Sequence, residues 1–357
     1  MREESKEFLK NYLNNPAPSG FEAKLGSQKI WADYIKPYVN EVYLDTYGNA
    51  VAVVGNMNSD YKVVIEAHAD EIAWYVNYID DKGYIRVVHN GGSDNLITPS
   101  MRVNLWGRKG KVEGVFGHPA IHIQKDEHKV NLDSMFVDIG ASSKKEVLKR
   151  GIEIGTPITF QDGYMELGDK WIVGRALDDK INGFVIAETA RKLYEDNILL
   201  DYQLYIVNSV QEEIGLKGAQ MIASNINPNV AFILDVCYET TSPCYDETKQ
   251  GYFKASLGGV LTVSPSVHNN LLEFVRGVLD KEKIPYQIGA SSDYTGTDTD
   301  AFAYTGSGIP SCLISLPLSY MHSTVEKVHK KDVKLVIKSL IEILKNIKVG
   351  ETFAYTL

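Results

Sequence analysis

The sequence has few cysteines and no long apolar run. Its three cysteines (Cys237, Cys244 and Cys312) are odd in number and lack Cys-x-x-Cys spacing, which argues against a disulfide framework and a cysteine-type zinc site. No apolar stretch approaches the roughly 20 residues of a membrane span. The charged start, MREESKEFLKNYL, also lacks the apolar core of a signal peptide. We therefore expect a cytoplasmic protein with reduced thiols and no membrane partner.

Several motifs of nucleotide-binding proteins and hydrolases are absent as well. The sequence contains no GxSxG, no GxxxxGK[ST] and no GxGxxG, which argues against a serine hydrolase of the nucleophile-elbow type, a P-loop protein and a dinucleotide-binding fold. Lysine and arginine are not clustered, and the formal net charge is -9. This distribution argues against a nucleic-acid partner, which requires a basic surface.

The composition is that of an ordinary globular protein. The chain has 357 residues, of which 44% are hydrophobic and 23% charged. This length suffices for about two domains of roughly 150 residues. No internal repeat or low-complexity segment interrupts the chain.

Strands and helices alternate at both ends of the chain. Helical apolar spacing covers residues 4–14 and 22–38. The apolar run at 62–68 is typical of a strand covered on both faces. From about residue 171 onward, short apolar strands again alternate with helices, which predicts a mainly parallel sheet.

A different pattern occupies residues from about 73 to 160. Short alternating segments between glycines, including RVNLWGRKGKVEGVFG and HPAIHIQ, predict a small antiparallel β unit. One helix, capped by Ser142 or Ser143, interrupts it. The predicted fold class is thus α/β, with a mainly parallel-sheet domain formed by residues 1–72 and 165–357 and a small antiparallel β domain inserted at 73–164.

Histidine or acidic side chains stand where five of the predicted strands end. They are His68, the pairs Asp178–Asp179 and Glu212–Glu213, Asp235, and His322. Ligands of open α/β sheets bind outside the carboxyl ends of the strands, so these side chains should converge at one edge. Singly, each has a structural explanation, such as an acid at a helix N-terminus. Together they predict a metal site.

Two imidazoles and several carboxylates suit a pair of divalent ions such as zinc, cobalt or manganese. Such a pair lowers the pKa of a shared water, and a further carboxylate is needed to take up its proton. Glu212 and Glu213 are adjacent, so one can bind metal while the other faces the substrate. Asp70, two residues after His68, could accept the second N–H of the imidazole.

Five segments closely resemble the glutamyl aminopeptidase and tetrahedral (deblocking) aminopeptidase family of dinuclear metallopeptidases. They follow the family's order over nearly the whole chain and are HADEIAWYV, DIGASSKKEVLKRGIEIGTPITF, GRALDDK, SVQEEIGLKGA and YMHSTVEKVH. By this resemblance, His68 and Asp235 bind one metal ion. Glu213 and His322 bind the other, and Asp178 bridges the two.

The resemblance assigns roles to three further residues. It implies that Glu212 is the general base, that Asp70 supports His68, and that Asp179 orients Asp178. It also implies an α/β peptidase domain with an inserted β domain and the removal of N-terminal amino acids from peptides. The family tends to form homo-oligomers, commonly tetrahedral dodecamers with enclosed active sites. The inserted domain is expected to contribute to this assembly and to site access.

Some positions depart from the family pattern. Ala69 and Ala73 stand within the segment where the family commonly has His-Met-Asp-Glu-Ile-Gly. Tyr238 follows the ligand strand, and Asp300 lies in the loop DYTGTDTDAF where small residues are usual. That loop is either solvated or substrate-facing. If it faces the substrate, Tyr238 and Asp300 are predicted to bind it, and Asp300 would favour a basic side chain.

Two other functions remain open from the sequence. The same site could serve a deacylase, another amidase or a glycan hydrolase, although glycosidases use two carboxylates without a metal pair. A non-enzymatic assembly or peptide-binding protein would be favoured by a missing base or ligand, and none is missing. A metal-dependent aminopeptidase acting on peptides is therefore the prediction.

Overall fold

The computed structural model describes residues 1–123 and 130–356. Within these ranges the helices are α1 (Glu3–Asn14), α2 (Ser27–Ile35), α3 (Lys144–Lys149), α4 (Leu177–Glu195), α5 (Lys217–Ile226), α6 (Glu247–Gln250), α7 (Asn269–Lys281), α8 (Thr299–Ala303) and α9 (Lys330–Asn346). The strands are β1 (Glu41–Leu44), β2 (Ala50–Gly55), β3 (Lys62–His68), β4 (Ala73–Ile79), β5 (Ile85–Asn90), β6 (Arg102–Gly107), β7 (Gly110–Phe116), β8 (Val137–Asp138), β9 (Pro157–Phe160), β10 (Met165–Leu167), β11 (Trp171–Gly174), β12 (Gln203–Ser209), β13 (Val230–Tyr238), β14 (Val260–Val263), β15 (Gln287–Ala290), β16 (Ser311–Ser319) and β17 (Glu326–His329).

The larger sheet has the order β1-β2-β12-β3-β13-β16-β17-β11-β10, and β14 and β15 attach beside β16. Strands β12, β3, β13 and β16 pair in parallel. Strand β17 is antiparallel to both β16 and β11, so β11 shares their direction. All five strands that precede the predicted site residues therefore end at the same edge.

Burial on both faces explains the composition of the central strands. Strand β16 is buried over its whole length, and β3 is buried from its second residue onward, which is typical of strands covered by helices on both sides. Helix α9 places an apolar stripe, including Val336 and Leu340, toward the core. Helix α4 contacts α9 and the central strands and is buried along most of its length. No helix of the described residues has both the length and the apolar character needed to span a membrane.

The remaining strands close into a separate small barrel. Its order is β4-β5-β8-β7-β6-β9, and the pairs along it are antiparallel. The barrel has its own core, in which Trp74 contacts the rings of Phe116 and Phe160. The predicted α/β class with an additional antiparallel unit is confirmed. The exact domain boundaries, after residue 72 and before residue 165, stay a prediction.

Three local predictions were wrong in detail. The segment HPAIHIQ was predicted as a strand, but residues 121–123 form a 3-10 turn, and Gln124 lies outside the described residues. Pro119 cannot donate a ladder hydrogen bond, which disfavours a strand there. The helix predicted from residue 22 begins at Ser27, after a left-handed Gly26. The strand predicted to end near Asp235 is β13, and it continues for three more residues to Tyr238.

Candidate metal centre and substrate pocket

A cavity of about 800 Å³ lies at the carboxyl ends of the parallel strands. Its walls include all the residues that were predicted as metal ligands or general base: His68, Asp178, Glu212, Glu213, Asp235 and His322. Strands β3 and β13 carry His68 and Asp235. Asp178 lies at the start of α4, shortly after β11, and the other three lie on the connections that leave β12 and β16. The parallel sheet therefore brings side chains that are far apart in the sequence together in one cluster.

Asp178 lies between the two histidines. Its Oδ1 is 3.2 Å from Nε2 of His68, and its Oδ2 is 3.3 Å from Nε2 of His322. Each carboxylate oxygen thus faces a different imidazole. This is the arrangement expected of a carboxylate shared by two neighbouring cation positions.

Two sets of ligand atoms share Asp178. Within each set the atoms lie within 4.8 Å of one another. One set is His68, Asp178 and Asp235, and the other is Asp178, Glu213 and His322. A third set, His68 with Glu212 and Glu213, meets the same distance criterion. The first two sets use five residues and leave Glu212 outside both.

Burial and mutual repulsion raise the pKa values of three acidic side chains of the site, those of Glu212, Glu213 and Asp235. Burial is the main cause at Glu212, where neighbouring carboxylates such as Asp235 add to it and the pKa reaches about 11. Burial likewise raises the pKa of Glu213 to about 8 and that of Asp235 to about 8. Without a cation, these carboxyl groups therefore hold protons near neutral pH.

The surroundings of the histidines instead favour their charged form. Burial lowers the pKa of His322, but the hydrogen bond to Asp178 and the charge of Glu213 outweigh it and raise that pKa to about 10. The same hydrogen bonds, from His322 and His68, hold the pKa of Asp178 below its usual range despite burial. Positive charge is thus stabilised at the centre of the cluster, which is the condition for binding cations.

The donor set fits two divalent ions. Imidazole nitrogens and carboxylate oxygens are preferred ligands of zinc, cobalt and manganese. Oε1 of Glu213 is buried, makes no hydrogen bond and lies 3.5 Å from Nε2 of His322. Among the described residues that line the cavity there is no lysine or arginine to neutralise the acids. Bound cations would satisfy both the charge and the unpaired oxygen.

Asp70 holds the segment that carries the two glutamates. Its Oδ1 accepts the N–H of Glu212 at 3.0 Å, and its Oδ2 accepts the N–H of Glu213 at 3.2 Å. Ser19 donates to Oδ2 at 2.6 Å. Oδ1 also lies 3.3 Å from Nδ1 of His68, close to the contact predicted from the sequence. The backbone contacts were not predicted, because they depend on a loop whose path the sequence does not reveal.

The barrel also reaches the site. Gly92, two residues after β5, accepts a hydrogen bond at 3.2 Å from Nδ1 of His322, which leaves Nε2 facing Asp178 and Glu213. A Cβ at position 92 would lie 3.0 Å from the imidazole ring. A side chain here would crowd the imidazole, so the close approach favours glycine, and the sequence analysis missed this contact.

The predicted supporting residue, Asp179, and the two predicted substrate-binding residues, Tyr238 and Asp300, lie nearby. Asp179 is fully buried, and its Oδ1 accepts from Asn182 at 2.6 Å. Tyr238 and Asp300 line the cavity. Both oxygens of Asp300 accept the N–H of Thr295, at 3.0 and 3.2 Å.

The other histidines of the described residues do not line this cavity. Of the described residues that line the cavity, the histidines are His68 and His322. His128 lies outside the described residues. The two imidazoles at the site are thus those selected from the sequence.

Comparison with known proteins identifies the family of this chain. The sequence model of the M42 glutamyl aminopeptidase family matches residues 48–338. A lysyl aminopeptidase from Pyrococcus furiosus is 33% identical over 348 residues, covering 96% of this chain and 97% of that protein. A TET aminopeptidase from a marine-sediment Thaumarchaeota archaeon has a TM-score of 0.91 at 29% identity and covers 97% of both chains.

A second solved structure extends the comparison. The TET1 peptidase of Pyrococcus horikoshii, which can assemble into a tetrahedron or a large octahedral shell, has a TM-score of 0.84 at 28% identity. The match covers 96% of this chain and 100% of that one. With the family match extending over most of the sequence, this chain belongs to the M42 glutamyl aminopeptidase family.

Proposed function

We propose that this enzyme is a dinuclear metal-dependent aminopeptidase that removes N-terminal residues from peptides. The observation that carries the proposal is the position of Asp178, whose two oxygens face His68 and His322 at 3.2 and 3.3 Å. Membership of an aminopeptidase family supplies the reaction class. The distances and burial described above support the choice of ligands and general base.

In this proposal each ion has two ligands of its own and shares a third. His68 and Asp235 hold one ion, Glu213 and His322 hold the other, and Asp178 is shared. Two bound divalent ions would polarise the scissile carbonyl and lower the pKa of a water molecule. The sheet fixes His68 and Asp235, so the ion between them has the more rigid protein ligands.

Glu212 acts as the general base. It lines the cavity beside the ligands and is not needed to complete either set. Its Oε2 lies 3.9 Å from Nε2 of His68, within reach of the space between the two positions. A carboxylate there can take a proton from water and return it to the leaving amine. Asp70 holds the backbone of Glu212 in place, and Asp179 supports Asp178 from the following position.

The test uses metal-stripped protein and a panel of free and N-acetylated peptides, with and without added zinc, cobalt or manganese. We expect release of the N-terminal residue from free peptides only when metal is added. Cleavage of acetylated peptides alone would instead identify a deacylase. Hydrolysis of a glycan without metal dependence would identify a glycosidase. No turnover of any peptide by protein that has bound two ions would contradict the proposal.

Asp300 and Tyr238 form part of the proposed binding site for the N-terminal side chain. Both line the cavity, and Tyr238 is 47% exposed. Asp300 brings a negative charge that no lysine or arginine among the described lining residues neutralises. A basic N-terminal side chain would suit this wall, and the similar Pyrococcus protein is a lysyl aminopeptidase.

Replacing Asp300 with Asn is expected to reduce the preference for lysyl over norleucyl substrates. The lysine and norleucine side chains share a linear four-carbon chain and differ in the ammonium group. The ratio of their kcat/KM values therefore reports the contribution of the positive charge. We expect the ratio to fall about tenfold, which equals about 1.4 kcal/mol and is close to a hydrogen bond to a charged group. Asp293→Asn, in the same loop but exposed, is the control. An unchanged ratio in D300N would rule out this role.

The protein is further proposed to form a homo-oligomer, most simply a tetrahedral dodecamer. Support comes from the Pyrococcus horikoshii peptidase, which assembles into a tetrahedron or an octahedral shell and aligns over its whole chain. The inserted domain, proposed as residues 73–164, would contribute to contacts between subunits and to access. Gly92 gives it a direct link to the site.

A further inference from the structure

A buried glutamate outside both ligand sets connects two of the ligands. Glu326, the first residue of β17, is 2% exposed. Its Oε1 accepts the backbone N–H of His322 at 2.8 Å, and its Oε2 accepts the backbone N–H of Asp178 at 3.1 Å. One carboxylate therefore joins the backbones of two residues that are 144 positions apart.

The two residues that it joins lack the support of a sheet. Asp178 has non-helical backbone angles at the start of α4, and His322 has a left-handed φ of 61° in the connection between β16 and β17. A non-glycine residue with such a φ is sustained only where its surroundings determine it. The hydrogen bond from the N–H of His322 to Glu326 is such a determinant.

The ligands of the other set are held differently. His68 pairs with Ser209 in the ladder between β3 and β12, and Asp235 pairs with Ser315 in the ladder between β13 and β16. Their positions follow from strand pairing. His322 belongs only to the set of Asp178 and Glu213, so a change at Glu326 acts mainly on that set.

We propose that Glu326 is a positioning residue that fixes Asp178 and His322 relative to each other and thereby sets the affinity of the Asp178–Glu213–His322 position for its metal ion. The proposal rests on the dinuclear centre proposed above. It assigns Glu326 no contact with substrate or metal. Its effect is transmitted through two backbone amides.

Glu326→Gln removes half of this connection. An amide side chain has one carbonyl oxygen and an NH2 group that cannot accept a hydrogen bond, so one of the two backbone N–H groups loses its acceptor. The volume of the side chain is nearly unchanged. The variant therefore tests the two-oxygen connection rather than packing.

The measurement is a titration of the metal-stripped, full-length protein with Co²⁺, followed by calorimetry and by the visible absorption of bound cobalt. We expect two binding steps in the wild type. In E326Q we expect one step to weaken by about 10–100-fold, the range typical of losing an outer-shell partner, while the other changes by less than about threefold. Equal weakening of both steps, or two unchanged steps, would overturn the inference.

Glu239→Gln is the matched control. Glu239 is also a buried carboxylate (4% exposed) that accepts from Ser319 at 3.1 Å, but it belongs to neither ligand set. Both cobalt steps should stay as in the wild type, and a selective loss in E239Q would overturn the inference. If E326Q does not fold, Glu326→Asp keeps both oxygens with a shorter reach and should show the same selective weakening.

The two proposals fail in different ways. A wild-type protein that binds no Co²⁺ would overturn the metal centre, and the inference with it. A wild type with two steps and an E326Q variant with the same two steps would overturn the inference alone.

Discussion

Replacing Glu212 with Gln is expected to lower kcat for aminoacyl substrates by about 10²–10⁴-fold, the usual contribution of a general base. The metal content should stay at two ions per chain, because Glu212 is needed by neither ligand set. Folding should be retained, because burial already raises the pKa of this carboxyl group to about 11 and favours its uncharged form in the cation-free protein.

The neighbouring glutamate provides the matched comparison. Glu213→Gln changes the same side chain one residue away, and it should lower the affinity of one metal position. Activity assays should be read beside metal analysis for both variants. If E212Q loses a metal ion while E213Q keeps two, the roles of the glutamates are exchanged.

Replacing Asp178 with Asn should have the largest effect on metal binding. Both ligand sets contain Asp178. The amide keeps only one carbonyl oxygen and carries no negative charge, so one position loses its oxygen ligand and both positions lose the shared charge. We expect both metal affinities to fall by more than the roughly 10–100-fold typical of an outer-shell change. The measurement is metal stoichiometry after dialysis against low metal concentrations.

Thermal unfolding gives an independent readout of the same variant. A ligand at 100 times its Kd stabilises the native state by about 2.7 kcal/mol, so the wild-type Tm should rise when metal is added. In D178N this rise should disappear. Glu239→Gln changes a buried carboxylate that is in neither set, and this variant should keep most of the rise. A D178N protein that binds two ions normally would exclude a bridging role.

The convergence of the proposed ligands could be predicted because it follows from strand direction. His68 and Asp235 lie in parallel strands, and His322 follows one, so a sheet with its carboxyl ends at one edge brings them together whatever the exact loops. The family resemblance then implied which ligands bind each metal ion, and that Glu212 is the general base while Glu213 is a ligand. The α/β class followed from the same alternation of strands and helices.

What escaped prediction depends on backbone atoms in connections. The acceptor roles of Asp70 and Glu326 involve N–H groups 142 and 148 positions away in the chain. No side-chain pattern encodes such pairs, because any residue except proline supplies an N–H. The turn at 121–123 was missed for a related reason, since apolar alternation next to a proline does not ensure a partner strand.

The contact between Gly92 and His322 has a consequence for recombination between relatives. A chimera that receives its barrel from another family member would also receive the backbone carbonyl that contacts Nδ1 of His322, a proposed metal ligand. Such an exchange is not neutral toward the chemistry, even though the barrel has a core of its own. Crossover points that keep residues 91 and 92 with their native partner loop should preserve the centre. Crossovers that separate them would place a foreign backbone segment against the imidazole of His322.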